Sequence, residues 1–315
     1  MKLRLGTRRS ALALAQSRWV AERLARVAGV EVELVPITTR GDSTPGDLAA
    51  AGGKGLFTAE LEAGLLDGSL DLAVHSLKDL PVALPAGLAL AAFPERADPR
   101  DALVSAAASS LDALPAGAVL LTGSLRRRAQ LLALRPDLDV RSVRGNVDTR
   151  LAKRRRLEEE ERRPGGAILA LAGLGRLGVT GEPVHPLDPA VMLPAPGQGT
   201  LGIEVRAGSP AEELCRALDH PPTARAAAAE RAVVAAFGGD CTLPLAVWAR
   251  EEAAGGDAGA VRLRLTALLA TPDGRRIARG EAVGATPAEA AAQCVAALRA
   301  DGADAVLAAI REGGR

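Results

Sequence analysis

Residues 122–156 read TGSLRRRAQLLALRPDLDVRSVRGNVDTRLAKRRR, with 11 Arg or Lys against 3 Asp in a chain whose formal net charge is only +1. Ser124 is placed to N-cap a helix from Leu125, directly after the apolar run Val119-Leu120-Leu121. Arg126, Arg127 and Arg128 then fall in the first helical turn. The helix dipole is positive there, so each cation costs roughly 0.3–1 kcal/mol. A helix selected for stability alone would carry Asp or Glu in those places. The pattern reads instead as a strand-to-helix corner that receives an anion, where free backbone N–H groups and forked guanidinium donors converge. Arg144 and Arg150 extend the patch beside Gly and Asn turns. The bland reading is solvated arginine on an Arg-rich surface. The chemistry favoured is the holding of a polyanion.

Two further places carry reactive side chains. Lys78 and Asp79 lie in HSLKDLP, directly after the apolar run 70–74. Ligands of open α/β sheets bind at that end of a strand, although a Lys beside an Asp is also an ordinary ion pair. Cys241 sits in the glycine-rich loop GGDCT and belongs to no helix face, unlike Cys215 and Cys294, which fall on apolar helix faces. It is either a half-buried loop thiol or a nucleophile or attachment point. His75, His185 and His220 are isolated, and no metal-ligand spacing appears. The stretch 52–55, GGKG, fails as a phosphate loop because Leu48 and Gly55 occupy positions that need Gly and Ser or Thr. The stretch 173–178 matches G-x-G-x-x-G, but Pro183, Pro186 and Pro189 follow where a dinucleotide fold needs a long helix.

Successive strand–helix alternations must position these groups. A strand at 3–5, a helix capped by Ser10 and running to about Ala25, a strand at 30–37, a helix face marked by Phe57, Leu61 and Leu65, and a strand at 70–74 form the first. Residues 43–53, rich in Gly, Ala and Pro, read as a mobile loop. After the connection PERADPRD at 94–101 come strands at 102–104, 119–121, 140–143 and 167–171, with helices at 125–134 and from about Val147. Such alternation predicts βαβ units and a mainly parallel sheet. Residues 153–163, KRRRLEEEERR, read as a solvated helix end with Glu158–Arg162 and Glu159–Arg163 at helical spacing. A Pro/Gly joint at 193–199 leads to a returning strand at 201–205. Thr223 is expected to cap an Ala-rich helix to about Phe237. Strands near 245–249, 261–269 and 275–283, a Thr286–Glu289 capping box and a last helix at 303–311 complete a small α+β domain.

Composition removes several classes of function. At 315 residues and 48% hydrophobic content the chain has ample core, so disorder is excluded. Aromatic residues make up only 2%, without Tyr, which argues against stacking single-stranded nucleic acid. Three scattered Cys form no disulfide framework and suit a reducing cytoplasm. Arg8-Arg9 before an apolar run faintly resembles an export signal, but Gln16, Ser17 and Arg18 interrupt it and no cleavage site follows. The apolar runs are too short to span a membrane.

The motifs GTRRSALALAQ, TTRGD, GGKGLFTAELE, DLAVHSLKDLP, ERADPRDALVS, TGSLRRRAQL, VRGNVDTRL, LAGLGRLG, LPAPGQGTLGIE and the GGDC loop run collinearly through the chain. Together they resemble the porphobilinogen deaminase (hydroxymethylbilane synthase) family over essentially the whole length. The resemblance implies two periplasmic-binding-protein-like α/β lobes around a cleft plus a C-terminal α+β domain with a three-stranded antiparallel sheet. The expected division is 1–94 with 197–216, then 99–190, then 217–315, with crossings near 94–100 and 188–196 that act as hinges. It implies a dipyrromethane cofactor held by a thioether on Cys241, with Asp79 catalytic. Lys78, Ser124, Arg126, Arg127 and Arg150 would contact the cofactor. Arg8, Ser10, Arg144, Arg150 and Arg176 would hold substrate, and Lys54 would lie in a loop covering the cleft. No metal is implied. A cytoplasmic monomer acting on porphobilinogen and the growing polypyrrole, without nucleic acid or membrane, is expected.

Two departures stand out: Gly123 replaces the Ser or Ala frequent in the family motif, and Asp240 precedes Cys241. The residue chemistry agrees with the resemblance. Each added pyrrole brings an acetate and a propionate, so six rings ask for about twelve carboxylates to be held, which accounts for the density of arginine. Loss of ammonia from porphobilinogen leaves a cationic electrophile that a carboxylate near the pyrrole N–H stabilises. The leading alternative is a non-catalytic anion-binding protein of the two-lobed solute-receptor type.

Overall fold

The structure, a computed structural model, describes residues 1–39, 58–238, 243–253 and 261–313. Lys54, the expected loop 43–53 and Cys241 with its GGDC loop lie outside the described residues. The first sheet contains β1 (Lys2–Arg8), β2 (Glu31–Ile37), β3 (Leu72–Ser76), β4 (Leu88–Ala92) and β10 (Leu201–Arg206), in the order β2-β1-β3-β10-β4. The second contains β5 (Asp101–Val104), β6 (Val119–Leu121), β7 (Asp139–Arg141), β8 (Gly165–Ala170) and β9 (Val184–Pro186), in the order β7-β6-β8-β5-β9. The two orders are equivalent. In each sheet four strands point the same way, and a strand fed from the other lobe inserts in the fourth place.

That inserted strand is the exception in sheets that are otherwise parallel, as expected. β10 pairs antiparallel with both β3 and β4, and β5 pairs antiparallel with both β8 and β9. A chain arriving from the opposite lobe enters its sheet at the end where the parallel strands finish, so it must run against them. β9 was not foreseen from sequence. Its Pro186 suits an edge strand, where no ladder N–H is required.

Each sheet is covered on both faces. On the first, α1 (Ala11–Ala28) and α6 (Pro210–Arg216) pack Val20, Leu24, Ala211 and Cys215 against Leu3, Leu5, Leu72 and Ile203, while α2 (Ala59–Leu66) buries Leu61 and Leu65 on the other face. On the second, α3 (Leu125–Leu134) buries Leu131 with Leu103, Leu120 and Ile168, and α4 (Val147–Glu159) buries Leu151 and Leu157 with Val119 and Leu169. Burying each of these Leu side chains is worth about 1.5–3 kcal/mol. A short α5 (Leu171–Arg176) follows β8.

The charged block 153–163 is not a purely solvated helix end. Arg154 is buried and bonds Glu158 and Glu182, which ties α4 to the segment before β9. The helix stops at Glu159, and Arg162 sits at φ 51, so the expected Glu158–Arg162 alignment does not form.

The third unit has α7 (Pro221–Ala236), strands β11 (Leu245–Ala253), β12 (Val261–Ala270) and β13 (Ile277–Gly284) in an antiparallel β11-β12-β13 sheet, then α8 (Pro287–Ala300) and α9 (Ala303–Gly313). Thr286 caps α8 through the Glu289 N–H, as its sequence requires. Thr223 does not cap α7. His220 is the N-cap, Pro221 and Pro222 open the helix, and the Thr223 hydroxyl accepts from the Arg96 N–H instead.

The crossings run side by side. The Ala97 N–H donates to Gly199 O at 3.2 Å, and a Cβ on Gly199, at φ +86, would collide with Ala97 O. Both crossings are fastened to the third unit by Glu230 of α7, which is fully buried. Its carboxylate accepts from Arg96 Nη1 at 2.7 Å, the Gly197 N–H at 2.5 Å and the Ala249 N–H at 2.8 Å. Glu230→Gln is therefore expected to cost about 3–5 kcal/mol, because it leaves the Arg96 guanidinium buried without its charge partner. A urea-unfolding midpoint unchanged from the parent would contradict this.

Candidate active site

Asp79, Arg8, Ser124, Arg144 and Arg176 all lie just beyond the C-terminal ends of parallel strands or of the short elements that follow them. Arg8 ends β1, and Ser10 caps α1 by accepting from the Ala13 N–H at 3.3 Å. A 3₁₀ turn of Leu77, Lys78 and Asp79 follows β3 directly. Ser124 follows β6 and caps α3 through the Arg127 N–H at 3.4 Å, so the sequence-predicted corner is present. Asn146 caps α4, which carries Arg150. Arg176 closes α5 after β8. Leu12 of α1 lies against Gly173 of α5, so the two lobes touch near these strand ends.

The corner at Ser124 differs from its expectation in one respect: much of the anion demand is met from within. Asp101, at the start of β5, is fully buried. It accepts from Arg126 Nη2 at 2.7 Å and from Arg127 Nε and Nη2 at 3.1 and 2.7 Å. The two guanidinium groups are themselves buried, and Arg128 turns away to donate to Val140 O. Burial opposes the Asp101 charge, but the guanidinium groups of Arg126 and Arg127 overcome it and hold the carboxyl well below the usual range. Desolvation pulls Arg126 down, with Asp101 opposing. One carboxylate between two arginines still leaves a positive remainder.

Lys78 faces this remainder from the other lobe. Its Nζ lies 3.4 Å from Gln198 Oε1, and Gln198 Nε2 donates to Asp101 Oδ1 at 2.7 Å. Desolvation pushes the Lys78 amine down to about 8, with Asp79 and Asp101 opposing the fall and Arg127 and Arg126 adding to it. Arg150 belongs to the same field. Its charge is opposed by burial and by Arg127 and favoured by Asp79. Lys78, Arg126, Arg127 and Arg150 against Asp79 and Asp101 leave two positive charges in excess. Arg150 and Arg176 bond backbone carbonyls, Gly145 O at 2.9 Å and Gly199 O at 2.6 Å, and have no carboxylate partner among the described residues. Desolvation lowers Arg176 to about 10. Burying a cation without a counter-charge is costly unless an anion joins it. The donor set therefore fits a ligand carrying several carboxylates.

The Gly123 departure has a structural reason. A Cβ there would stand 2.6 Å from Val143 O and 3.8 Å from Arg150 Nη2. In this chain the loop after β7 closes on the corner, which leaves no room for the Ser or Ala of other members. Cys215 and Cys294 are buried, and their thiols are pushed up to about 12 and about 11 by desolvation, so neither is a reactive thiolate. Sequence reasoning missed Asp101, Gln198, Arg96 and Glu230. Asp101 carried a signal, an acid opening an otherwise apolar buried strand; Gln198 and Glu230 carried none.

Two equivalent mixed lobes, joined by paired crossings, with buried cations gathered beside one exposed carboxylate, define a two-lobed α/β protein built to hold a polycarboxylate. Residues 3–213 match the family described as "Porphobilinogen deaminase, dipyromethane cofactor binding domain", and residues 224–301 match its C-terminal domain. A porphobilinogen deaminase of Thermus thermophilus is 47% identical over 282 residues, covering 89% of each chain. Among solved structures, a periplasmic substrate-binding protein of an ABC transporter from Coxiella burnetii is similar at 14% identity and a TM-score of 0.38, over 70% of this chain and 94% of that one. A nutrient binding protein from Burkholderia cenocepacia, bound to methionine, gives 15% and 0.39 over 70% and 93%. At those values the two structures carry no argument about activity.

The chain belongs to the porphobilinogen deaminase family. Its class is that of a transferase, hydroxymethylbilane synthase, whose N-terminal region is a dipyrromethane-cofactor domain. The non-catalytic alternative is thereby set aside.

Proposed function

We propose that this chain condenses porphobilinogen units onto a dipyrromethane primer attached through a thioether to Cys241, with Asp79 as the catalytic group. The observation that carries the reading is the pair of half-buried guanidinium groups, Arg150 and Arg176, which bond backbone carbonyls and have no ion pair with a carboxylate among the described residues, at the strand ends beside Asp79. When bound, the primer would supply the free pyrrole carbon to which the first unit is joined, each later unit being joined to the ring added before it. Lys78, Ser124, Arg126, Arg127 and Arg150 hold its acid side arms. Arg8, Ser10, Arg144, Arg150 and Arg176 hold those of the incoming unit, and Lys54 belongs to the covering loop.

Asp79 is exposed on its turn and free of the internal bonds that occupy Asp101. Its carboxylate accepts from a pyrrole N–H and stabilises the cation left when porphobilinogen loses ammonia. It then takes the proton released as the new carbon–carbon bond restores the aromatic ring. Gln198 steadies Lys78 between the lobes, so that the ammonium meets a carboxylate without searching for it.

We take the division to be 1–94 with 197–216, 99–190 and 217–315, a reading supported by the presence of one sheet in each part, with residues 94–100 and 188–196 as the proposed hinges. We take the protein to act as a cytoplasmic monomer on porphobilinogen and the growing polypyrrole, without nucleic acid or a membrane. Among the described residues no helix is long and apolar enough to cross a bilayer. The test is intact-protein mass. The parent is expected to exceed its encoded mass by one dipyrrole, and Cys241→Ser to match its encoded mass and show no turnover. An unmodified parent that ignores porphobilinogen sinks the reading.

A further inference from the structure

Behind the Asp79 turn, on the α2 face of the first sheet, lies a buried ionic cluster that the chemistry above leaves unused. His75 of β3 meets Glu204 of β10 at 2.9 Å between Nε2 and Oε2, with side-chain exposures of only 6% and 0%. Glu62 of α2 is 9% exposed beside them, and burial, with the Glu204 carboxylate adding to it, holds its carboxyl above the usual range. Glu204 Oε1 is buried without a hydrogen-bond partner. From α7, Arg231 feels the Glu204 charge. A fold selected for stability alone would gain by filling this space with apolar side chains, since buried ion pairs are often neutral or unfavourable against such replacements.

Its position suggests what the cluster does. His75 stands four residues before Asp79. Three successive residues leading into the turn are each tied to a different partner: His75 to Glu204, the Ser76 hydroxyl to Gln16 Nε2 at 2.9 Å, and the Leu77 N–H to Thr200 O at 3.0 Å. Beyond the turn, Arg231 Nη2 donates to Val82 O at 2.7 Å. The Glu204 strand begins directly after Gln198 and Gly199, which contact Lys78 and Arg176. The His75–Glu204 bond is thus a side-chain link between the strand that leads into the Asp79 turn and the strand that leaves the second crossing.

We propose that His75 and Glu204 are positioning residues for Asp79, fixing its turn against the crossing so that the carboxylate meets each pyrrole at the same place. This rests on the assignment of Asp79 above. Misplacing a reacting group by about 1 Å, even from a distance, costs on the order of 100-fold in rate. The effect falls on kcat, because neither residue touches substrate.

The test uses the double variant His75→Phe/Glu204→Leu, which removes both hydrogen-bond partners together and leaves neither without the other. Purified with its dipyrrole mass intact, it is expected to lose at least tenfold in kcat, with KM for porphobilinogen within about twofold of the parent. A merely structural pair would shift the unfolding midpoint and leave the kcat of the folded holoenzyme alone; that result overturns the proposal. If the double variant does not fold, Glu204→Gln decides. It keeps an acceptor for the His75 N–H and is expected within about threefold of parental kcat, and a tenfold loss would mean that charge, not placement, matters. Parental turnover in the same assay checks the function itself, so the two failures cannot be confused.

Discussion

Asp79→Asn holoenzyme is expected to carry its full dipyrrole mass and to turn over at least about 100-fold more slowly, the lower range for loss of a general acid–base group. The residue is exposed on a three-residue turn and has no side-chain hydrogen bond or ion pair among the described residues, so little stability should be lost. Asn retains the size and a carbonyl acceptor but carries no charge, and it cannot take up a proton. What disappears is the stabilisation of the cation formed on deamination. A second effect follows from the same field. Asp79 favours the charged forms of Lys78 and Arg150. Removing it lets the Lys78 amine fall below about 8, so as pH rises through neutrality the variant should lose, sooner than the parent does, the charge that Lys78 offers to the cofactor's acid side arms. Single-turnover rates at matched cofactor loading separate the two effects. A chemical step within threefold of the parent would remove Asp79 from the mechanism.

The sequence located most of this site because its signals are local. Ser124 before three arginines specifies a cap and a first turn, and both are present. Lys78-Asp79 after an apolar run specifies a strand end, and β3 ends there. What stayed hidden depends on residues far apart in the chain. Nothing near Arg126 says that Asp101, 25 residues earlier, will reach its guanidinium, or that Gln198 will join Lys78 to the same carboxylate. The mixed sheets were hidden for a similar reason. The apolar run at 201–205 reads identically in either direction, and only the path of the crossing sets its sense. Arg154 was misread because charge-rich composition describes the block as a whole, while one position in it faces Glu158 and Glu182. The family motifs suggested residue roles that spacing alone left undecided, that of Cys241 above all.

Asp101 is the point at which stability and cofactor retention meet. Asp101→Asn is expected to lower the unfolding free energy by about 3–5 kcal/mol, the usual cost of breaking a buried ion pair from one side. Here one substitution strands two guanidinium groups and turns an amide N–H towards donors. Arg126 and Arg127 would then swing or draw in water, and the corner capped by Ser124 would lose its shape, so purified variant should carry less than its full dipyrrole mass. The pH dependence has a defined sign. The folded carboxyl titrates below its unfolded value of about 3.9, so its contribution is complete above that value and is lost as pH falls through the depressed folded range. As pH falls from about 4 to 2.5 the parent should therefore lose stability faster than Asp101→Asn, narrowing the gap between them. Urea unfolding of both proteins across that interval reads the difference directly. A gap that is absent at pH 7, or that widens on acidification, would mean that Asp101 does not neutralise the pair, and that Arg126 and Arg127 are balanced from elsewhere.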